Sequence, residues 1–366
     1  MGAELTEPLK SPYPWHGGKS RVADVVWRAF GDVPNYSEPF FGSGAVLLGR
    51  RVPGKIETIN DLDCYVANFQ RAIQADPGGV AEWADAQVNE ADLHARHLWL
   101  VNQQDFRASM VADPNFYDVK IAGWWVWGIC QWIGTGWCAA ATSAARRRVD
   151  GCASEDPALD ISKTVPQQIP HLGDAWMGVH RKIPHLGDAG RGPESPRLPS
   201  LGHSGRGTHS PEHRPLYEWF SALSDRLRRV RVACGDWSRI VTGAVLGLSN
   251  SRQNMGMTPC GVFLDPPYPD GAVDYNAGDR STWHEVREWA IENGDNPCLR
   301  IALCGYEGIE MPASWRVHAW KAKGGYGSQR KDGVNENPNR ERIWFSKHCR
   351  DVDQPDLFSR LGGATR

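Results

Sequence analysis

Between Tyr36 and Asp61 the chain runs from a short strand (Tyr36 to Glu38) through a glycine-rich turn (Pro39 to Gly44) into a helix opening at Ala45. It returns as a second strand, Thr58-Ile59-Asn60-Asp61. A strand, a glycine turn, a helix and a strand within about 30 residues form the βαβ unit of nucleotide-binding sheets. Two details sharpen this. Gly42 and Gly44 permit close backbone approach to a ligand, and Asp61 stands about 20 residues on, at the end of the next strand, where a carboxylate can hold ribose hydroxyls. The third glycine of G-x-G-x-x-G is missing, which counts against a dinucleotide and for an adenosyl ligand without a pyrophosphate.

The same alternation continues downstream. Val22, Val25, Val26, Ala29 and Phe30 have helical spacing after Gly17-Gly18, and Val66 to Ile73 repeats it. Residues 81–112 are polar and helical in pattern. The run from Ala122 to Cys138 carries Trp124, Trp125, Trp127, Trp132 and Trp137 among small residues, and is expected to be a buried helix and turn or the lining of a cleft. From Ala139 the apolar periodicity vanishes until Leu216. A unit beginning Ile169-Pro-His-Leu-Gly-Asp-Ala recurs from Ile183 and, more loosely, from Leu198, a spacing too short for a helical solenoid. Beyond it the expected elements are a helix (Tyr217 to Arg229), strands (Val230 to Cys234; Val262 to Asp265), a helix (Trp283 to Asn293) and a buried strand (Leu299 to Cys304). A hairpin-like pair follows (Val317 to Lys321; Arg342 to Ser346). Strands and helices on both sides of residues 139–215 argue one open α/β sheet interrupted by an inserted region.

The second chemical signal is Asp265-Pro266-Pro267-Tyr268. An apolar strand precedes it, so the tetrapeptide lies at a strand's carboxyl end, where open α/β sheets bind ligands. Two prolines remove two N–H donors, which leaves carbonyls to accept from a substrate amine. Asp265 adds a second acceptor. Two acceptors can draw an exocyclic nitrogen toward a tetrahedral geometry that aims its lone pair at an electrophile, and Tyr268 offers a face on which a base can stack, worth ~1–3 kcal/mol.

Taken in order, Trp15-x-Gly17-Gly18-Lys19, Glu38-Pro-Phe-x-Gly-x-Gly-Ala45, Asn60-Asp61-x-Asp63, Gly235-Asp236-Trp237 and Asp265-Pro-Pro-Tyr268 closely resemble the Dam-like class of DNA adenine-N6 methyltransferases. The resemblance spans residues 11–138 and 216–346. It implies a Rossmann-like seven-stranded methyltransferase sheet with helices on both faces, S-adenosylmethionine as cofactor and double-stranded DNA as partner. The target-recognition region would lie in the 139–215 slot. The implied organisation is 1–138 for the cofactor-binding part with a helical segment, 139–215 for the insert, 216–350 for the catalytic part with its C-terminal hairpin, and 351–366 for a tail. By the same resemblance Trp15, Gly18 and Lys19 flank the methionine end of the cofactor, with Glu38, Phe40, Gly42 and Gly44 below it. Asp61 takes the ribose, and Asp236 with Trp237 takes the adenine ring. Asp265, Pro266, Pro267 and Tyr268 hold the flipped target base, with Asp265 also bordering the cofactor.

Charge and composition limit the alternatives. With 41 basic against 43 acidic residues the net charge is -2, so a DNA face must arise by local segregation. Residues 321–350 supply it, with Tyr326, Arg330, Lys331 and Arg340 in a Gly/Tyr/Ser/Gln/Arg setting suited to phosphate contacts. Nine cysteines without a C-x-x-C pair argue against a disulfide framework or zinc ribbon. Six histidines recur through the insert (His171, His180, His185, His203, His209, His213) without cysteine partners, and no metal is expected. No apolar run reaches about 18 residues, so the expectation is a cytoplasmic protein with no membrane association. Two readings stay open beside adenine methylation: a cytosine-N4 methyltransferase, and a DNA-binding subunit of a larger modification or defence assembly with a partner protein.

Overall fold

The computed structural model describes residues 9–15, 18–132, 137–138, 214–248, 258–268, 280–321 and 340–352. The motif residues His16 and Gly17 and nearly all of the 139–215 insert, with its repeats and histidines, lie outside the described residues, as does the expected tail from 353 onward.

The described chain alternates helices and strands. A 3-10 turn (Lys19–Arg21) leads into α1 (Ala23–Phe30), β1 (Asn35–Glu38), α2 (Ala45–Leu48) and β2 (Ile56–Asp61). A helical block follows: α3 (Cys64–Ala75), α4 (Pro77–Ala84), α5 (Glu90–Val101), α6 (Phe106–Ala112) and α7 (Val119–Gln131). Past the insert come α8 (Arg214–Leu227), β3 (Val230–Cys234), a 3-10 turn (Trp237–Ile240), β4 (Cys260–Leu264), α9 (Arg280–Asn293), β5 (Leu299–Tyr306), β6 (Arg316–Ala319) and β7 (Glu341–Phe345). Side-chain caps set several boundaries. Asp63, Asp76, Asn89 and Asp118 each accept a backbone N–H in the first turn of the helix they precede, satisfying donors that the helix cannot.

The seven strands form one sheet in the order β3-β2-β1-β4-β5-β7-β6. β1 to β5 are parallel, while β7 runs antiparallel between β5 and β6. This is the Rossmann-like methyltransferase sheet expected from the sequence. The expected C-terminal hairpin is present as the antiparallel β6–β7 pair, with β7 seated inward against β5.

Side-chain alternation explains why both faces are covered. On β4, Phe263 enters one core with Tyr36, Phe30, Phe69 and Val26, while Val262 and Leu264 enter a second core with Ile301, Val286 and Ala290 of α9. Residues one apart on a strand face opposite ways, so a strand buried throughout needs helices on both sides. Trp125 and Trp127 of α7 are among the largest fully buried side chains, which places the part of the tryptophan-rich run up to Gln131 in a core helix. A buried ion network ties α8 to the sheet: Arg226 donates to both oxygens of Glu57 on β2 and to the Leu47 carbonyl, and Arg50 reaches the same carboxylate at 3.3 Å.

Candidate active site

β1 and β4 are neighbours at the point where the strand order turns outward in both directions, so the crevice beyond their carboxyl ends is the natural ligand site of this sheet. The glycine-rich turn leaves β1 there. Gly42 and Gly44 adopt φ of +50° and +71°, backbone conformations that L side chains rarely take. A Cβ on Gly42 would stand 2.5 Å from the Trp15 indole, and one on Gly44 would collide with the Phe41 ring, so Trp15 and Phe41 close directly onto bare backbone. Asp61 clamps the turn: its Oδ2 accepts the Gly42 N–H at 2.9 Å, and its Oδ1 accepts the Asp63 N–H at 2.9 Å. Asn60 donates to the Pro39 and Gly235 carbonyls and so joins the turn to the end of β3. The resulting pocket is lined by Trp15, Gly18, Lys19, Glu38, Phe40, Gly42, Asp61, Asp265 and Pro267.

Two carboxyl groups face this pocket from low-dielectric surroundings. Glu38 is 2% exposed and accepts the Tyr36 hydroxyl at 2.8 Å; burial, opposed in part by that bond, raises its pKa well above the usual range. Asp61 is pushed up to about 7, by burial first and by the neighbouring Asp63 second, against the backbone N–H groups it accepts.

Around Asp265 lies a charged cluster. Lys19, 6% exposed, makes a 2.9 Å ion pair with Asp265 Oδ2, its ammonium lying 5.7 Å from the Tyr268 ring centroid and 5.6 Å from that of Trp320. Burial alone would lower the Lys19 pKa, but Asp265 and Glu341 outweigh it and raise the pKa instead. The Tyr268 hydroxyl lies 3.2 Å from Asp265 Oδ1 and 3.1 Å from Glu341 Oε2, and its ring packs edge-on to Tyr306.

The sequence-predicted residues therefore fall into three groups. Trp15, Gly18, Lys19, Glu38, Phe40, Gly42, Asp61, Asp265 and Pro267 meet at one pocket; Gly44 caps α2 behind its turn, and Pro266 and Tyr268 adjoin it as the rest of the tetrapeptide. Trp237 is buried behind Phe40, whose ring it stacks against at 6.4 Å, so Phe40 and not Trp237 lines the pocket. Asp236 is exposed and caps the following turn through Ser238; it is not among the lining residues. Of the expected DNA-contacting residues only Arg340 is described. Its guanidinium lies 5.1 Å from the Tyr306 ring centroid, which puts it next to the cluster around Tyr268. Tyr326, Arg330 and Lys331 lie outside the described residues.

Glu341, which lies within hydrogen-bond distance of the Tyr268 hydroxyl, is a residue of this cluster that the sequence reading passed over. Its signal was there in the register: Glu341, Ile343 and Phe345 alternate onto one buried face of β7, and a carboxylate on a core-facing position is unusual.

Among the described residues, no helix is long and apolar enough to cross a membrane, and no three His, Cys, Asp or Glu side chains are grouped to hold a metal. No curated protein matches the chain. Residues 15–113 match the family model of the D12 class N6 adenine-specific DNA methyltransferases, a span that holds the pocket's tryptophan, lysine, glycine turn and Asp61. That match, the seven-stranded sheet and the Asp-Pro-Pro-Tyr turn at the same pocket together support a Dam-like adenine-N6 DNA methyltransferase.

Proposed function

We propose that this enzyme, an adenine-N6 DNA methyltransferase, takes S-adenosylmethionine as methyl donor in the pocket under the glycine turn and presents a flipped adenine to it from the Asp265–Tyr268 side. The observation that carries the reading is the meeting of two motifs: Glu38, Gly42 and Asp61 of the glycine-turn crossover and Asp265 and Pro267 of the Asp-Pro-Pro-Tyr turn line a single pocket. The residues suit the donor. The Asp61 carboxyl lines the pocket and offers acceptor capacity for ribose hydroxyls, beside the Trp15 indole and the Phe40 ring. When bound, S-adenosylmethionine supplies a methyl group on a cationic sulfur.

The chain's own part in the reaction is placement and charge. A duplex adenine presents its amine inside the stack, so it must leave the helix to reach Asp265. Asp265 accepts from the amine and offsets the positive charge that builds on nitrogen as the new bond forms, the kind of preorganised stabilisation that supplies much of an enzyme's rate. Lys19 holds Asp265 in place through Oδ2. Phe40, Pro267 and the Tyr268 ring narrow the crevice and exclude water. The 139–215 insert supplies the target-recognition region in this reading.

The test is methyl transfer from labelled S-adenosylmethionine to unmodified duplex DNA, followed by nucleoside mass spectrometry. Label in N6-methyladenine, abolished by Asp265→Ala with donor binding retained, supports the reading. Label in N4-methylcytosine, or equal loss of binding and transfer in Asp265→Ala, overturns it.

A further inference from the structure

The hydroxyl of Tyr268 lies within hydrogen-bond distance of two carboxyl groups, Asp265 at 3.2 Å and Glu341 at 3.1 Å, but has one proton to give. While both are carboxylates the phenol can donate to only one of them; once one takes a proton, the phenol can donate to one and accept from the other. Asp265 is already committed through its second oxygen to the Lys19 ammonium at 2.9 Å. Glu341, which enters from β7, an element remote in sequence from every motif of the site, therefore stands at the end of the hydrogen-bonded chain that leaves Asp265 through its other oxygen.

We propose that Glu341 is a positioning residue for methyl transfer: through the Tyr268 hydroxyl it forms the far end of a proton path, Asp265–Tyr268–Glu341, that draws charge away from the target amine. The inference rests on the reading that Asp265 holds that amine. The step balances. The amine lone pair forms the N–C bond, the donor's bond to the methyl carbon breaks and its pair stays with the donor, and the amine sheds one proton to Asp265 Oδ1. Asp265 returns to its carboxylate form by passing a proton to the Tyr268 oxygen as Tyr268 passes its own to Glu341. Lys19 keeps its charge throughout. The site thus starts with two carboxylates against two cations, Lys19 and the bound donor, and ends with one carboxylate against Lys19 alone.

The surroundings of Glu341 suit a proton acceptor. It is 5% exposed, and burial raises its pKa, with Asp265 adding to that rise and Lys19 and the Tyr268 bond opposing it. The other titratable groups that face it are Tyr306 and Cys304 of β5, both held neutral by raised pKa values. On its own strand Arg342 pairs with Glu307 on the outer side.

Glu341→Gln keeps a hydrogen-bonding group of the same shape but cannot accept a proton, and Tyr268→Phe removes the link while keeping the ring. Single-turnover methylation of duplex DNA at saturating donor would be followed from pH 6 to 9 for both variants and their double, with donor binding and thermal midpoint measured alongside. The expected result is a rate loss on the order of tenfold in each variant at neutral pH, with donor binding unchanged. The loss should shrink toward pH 9, where solvent takes the proton, and the double variant should be no slower than the slower single. A Glu341→Gln enzyme with the parent rate and pH profile overturns the proposal, as do losses that multiply in the double variant. If Glu341→Gln does not fold, Tyr268→Phe decides, since a stacking role alone predicts a parent pH profile. Full activity of Asp265→Ala would instead sink the underlying reading of the site.

Discussion

Replacing Lys19 with Met tests the charge balance of the crevice directly. The substitution keeps most of the apolar stem but removes an ammonium that is 6% exposed and 2.9 Å from Asp265, leaving two acidic groups, Asp265 and Glu341, without their shared cation. Stranding one partner of a buried pair costs about 3–5 kcal/mol. The Asp265 side chain keeps 19% of its exposure, so solvent relieves part of that cost and the expected loss lies near ~2–3 kcal/mol. Urea unfolding at constant slope would measure it. The double variant Lys19→Met/Asp265→Asn should recover most of the stability, because neither charge remains, yet stay inactive. A single variant within about 0.5 kcal/mol of the parent, or a double variant no more stable than the single, would refute the reasoning.

Three further outcomes are expected. Gly42→Ala, at φ +50° with its Cβ against the Trp15 indole, should fold but weaken donor binding by on the order of tenfold or more, as read by calorimetry. Asp61 has a folded pKa of about 7 against an unfolded value near ~3.9, so the unfolded chain holds fewer protons and Asp61 erodes stability as pH rises between those values. Asp61→Asn should therefore gain on the parent in thermal midpoint from pH 5 to 7.5 while losing donor affinity; a midpoint difference that does not vary with pH would contradict this. Arg226→Met leaves Glu57 buried with the 3.3 Å contact from Arg50 and the Gly54 N–H at 3.0 Å, and should cost ~3 kcal/mol in urea unfolding, most of it restored by adding Glu57→Gln.

What the sequence made legible was local. The turn between β1 and β2 could be read because its strand, glycines, helix and acid lie within one crossover, each signalled by its own residues. Asp265 to Tyr268 could be read because an apolar strand delivers it. The tryptophan-rich run up to Gln131 proved a buried helix because apolar residues surround α7 on nearly every side. What stayed hidden depends on pairing between distant segments. β7 lies between β5 and β6 by antiparallel register, with Tyr306 opposite Glu341, and no spacing in the sequence announces that partnership. Lys19 reads as part of a glycine turn, yet its nearest charge lies on Asp265, beyond the insert. The stacking of Trp237 on Phe40 joins the turn after β3 to the turn after β1, a packing choice that propensity cannot express.

The pairing of β2 with β3, Glu57 opposite Val230, bridges the whole stretch of chain that contains residues 139–213. The entropy of closing such a loop grows only with the logarithm of its length. Removing all of residues 139–213 would shorten it by less than half and ease closure by about 0.5 kcal/mol, roughly a twofold change in an equilibrium. Between α7 and α8 the sheet is thus almost indifferent to how much polypeptide is spliced in. Sequence at that junction can lengthen, shrink or be exchanged over generations while the crevice between β1 and β4 keeps its geometry.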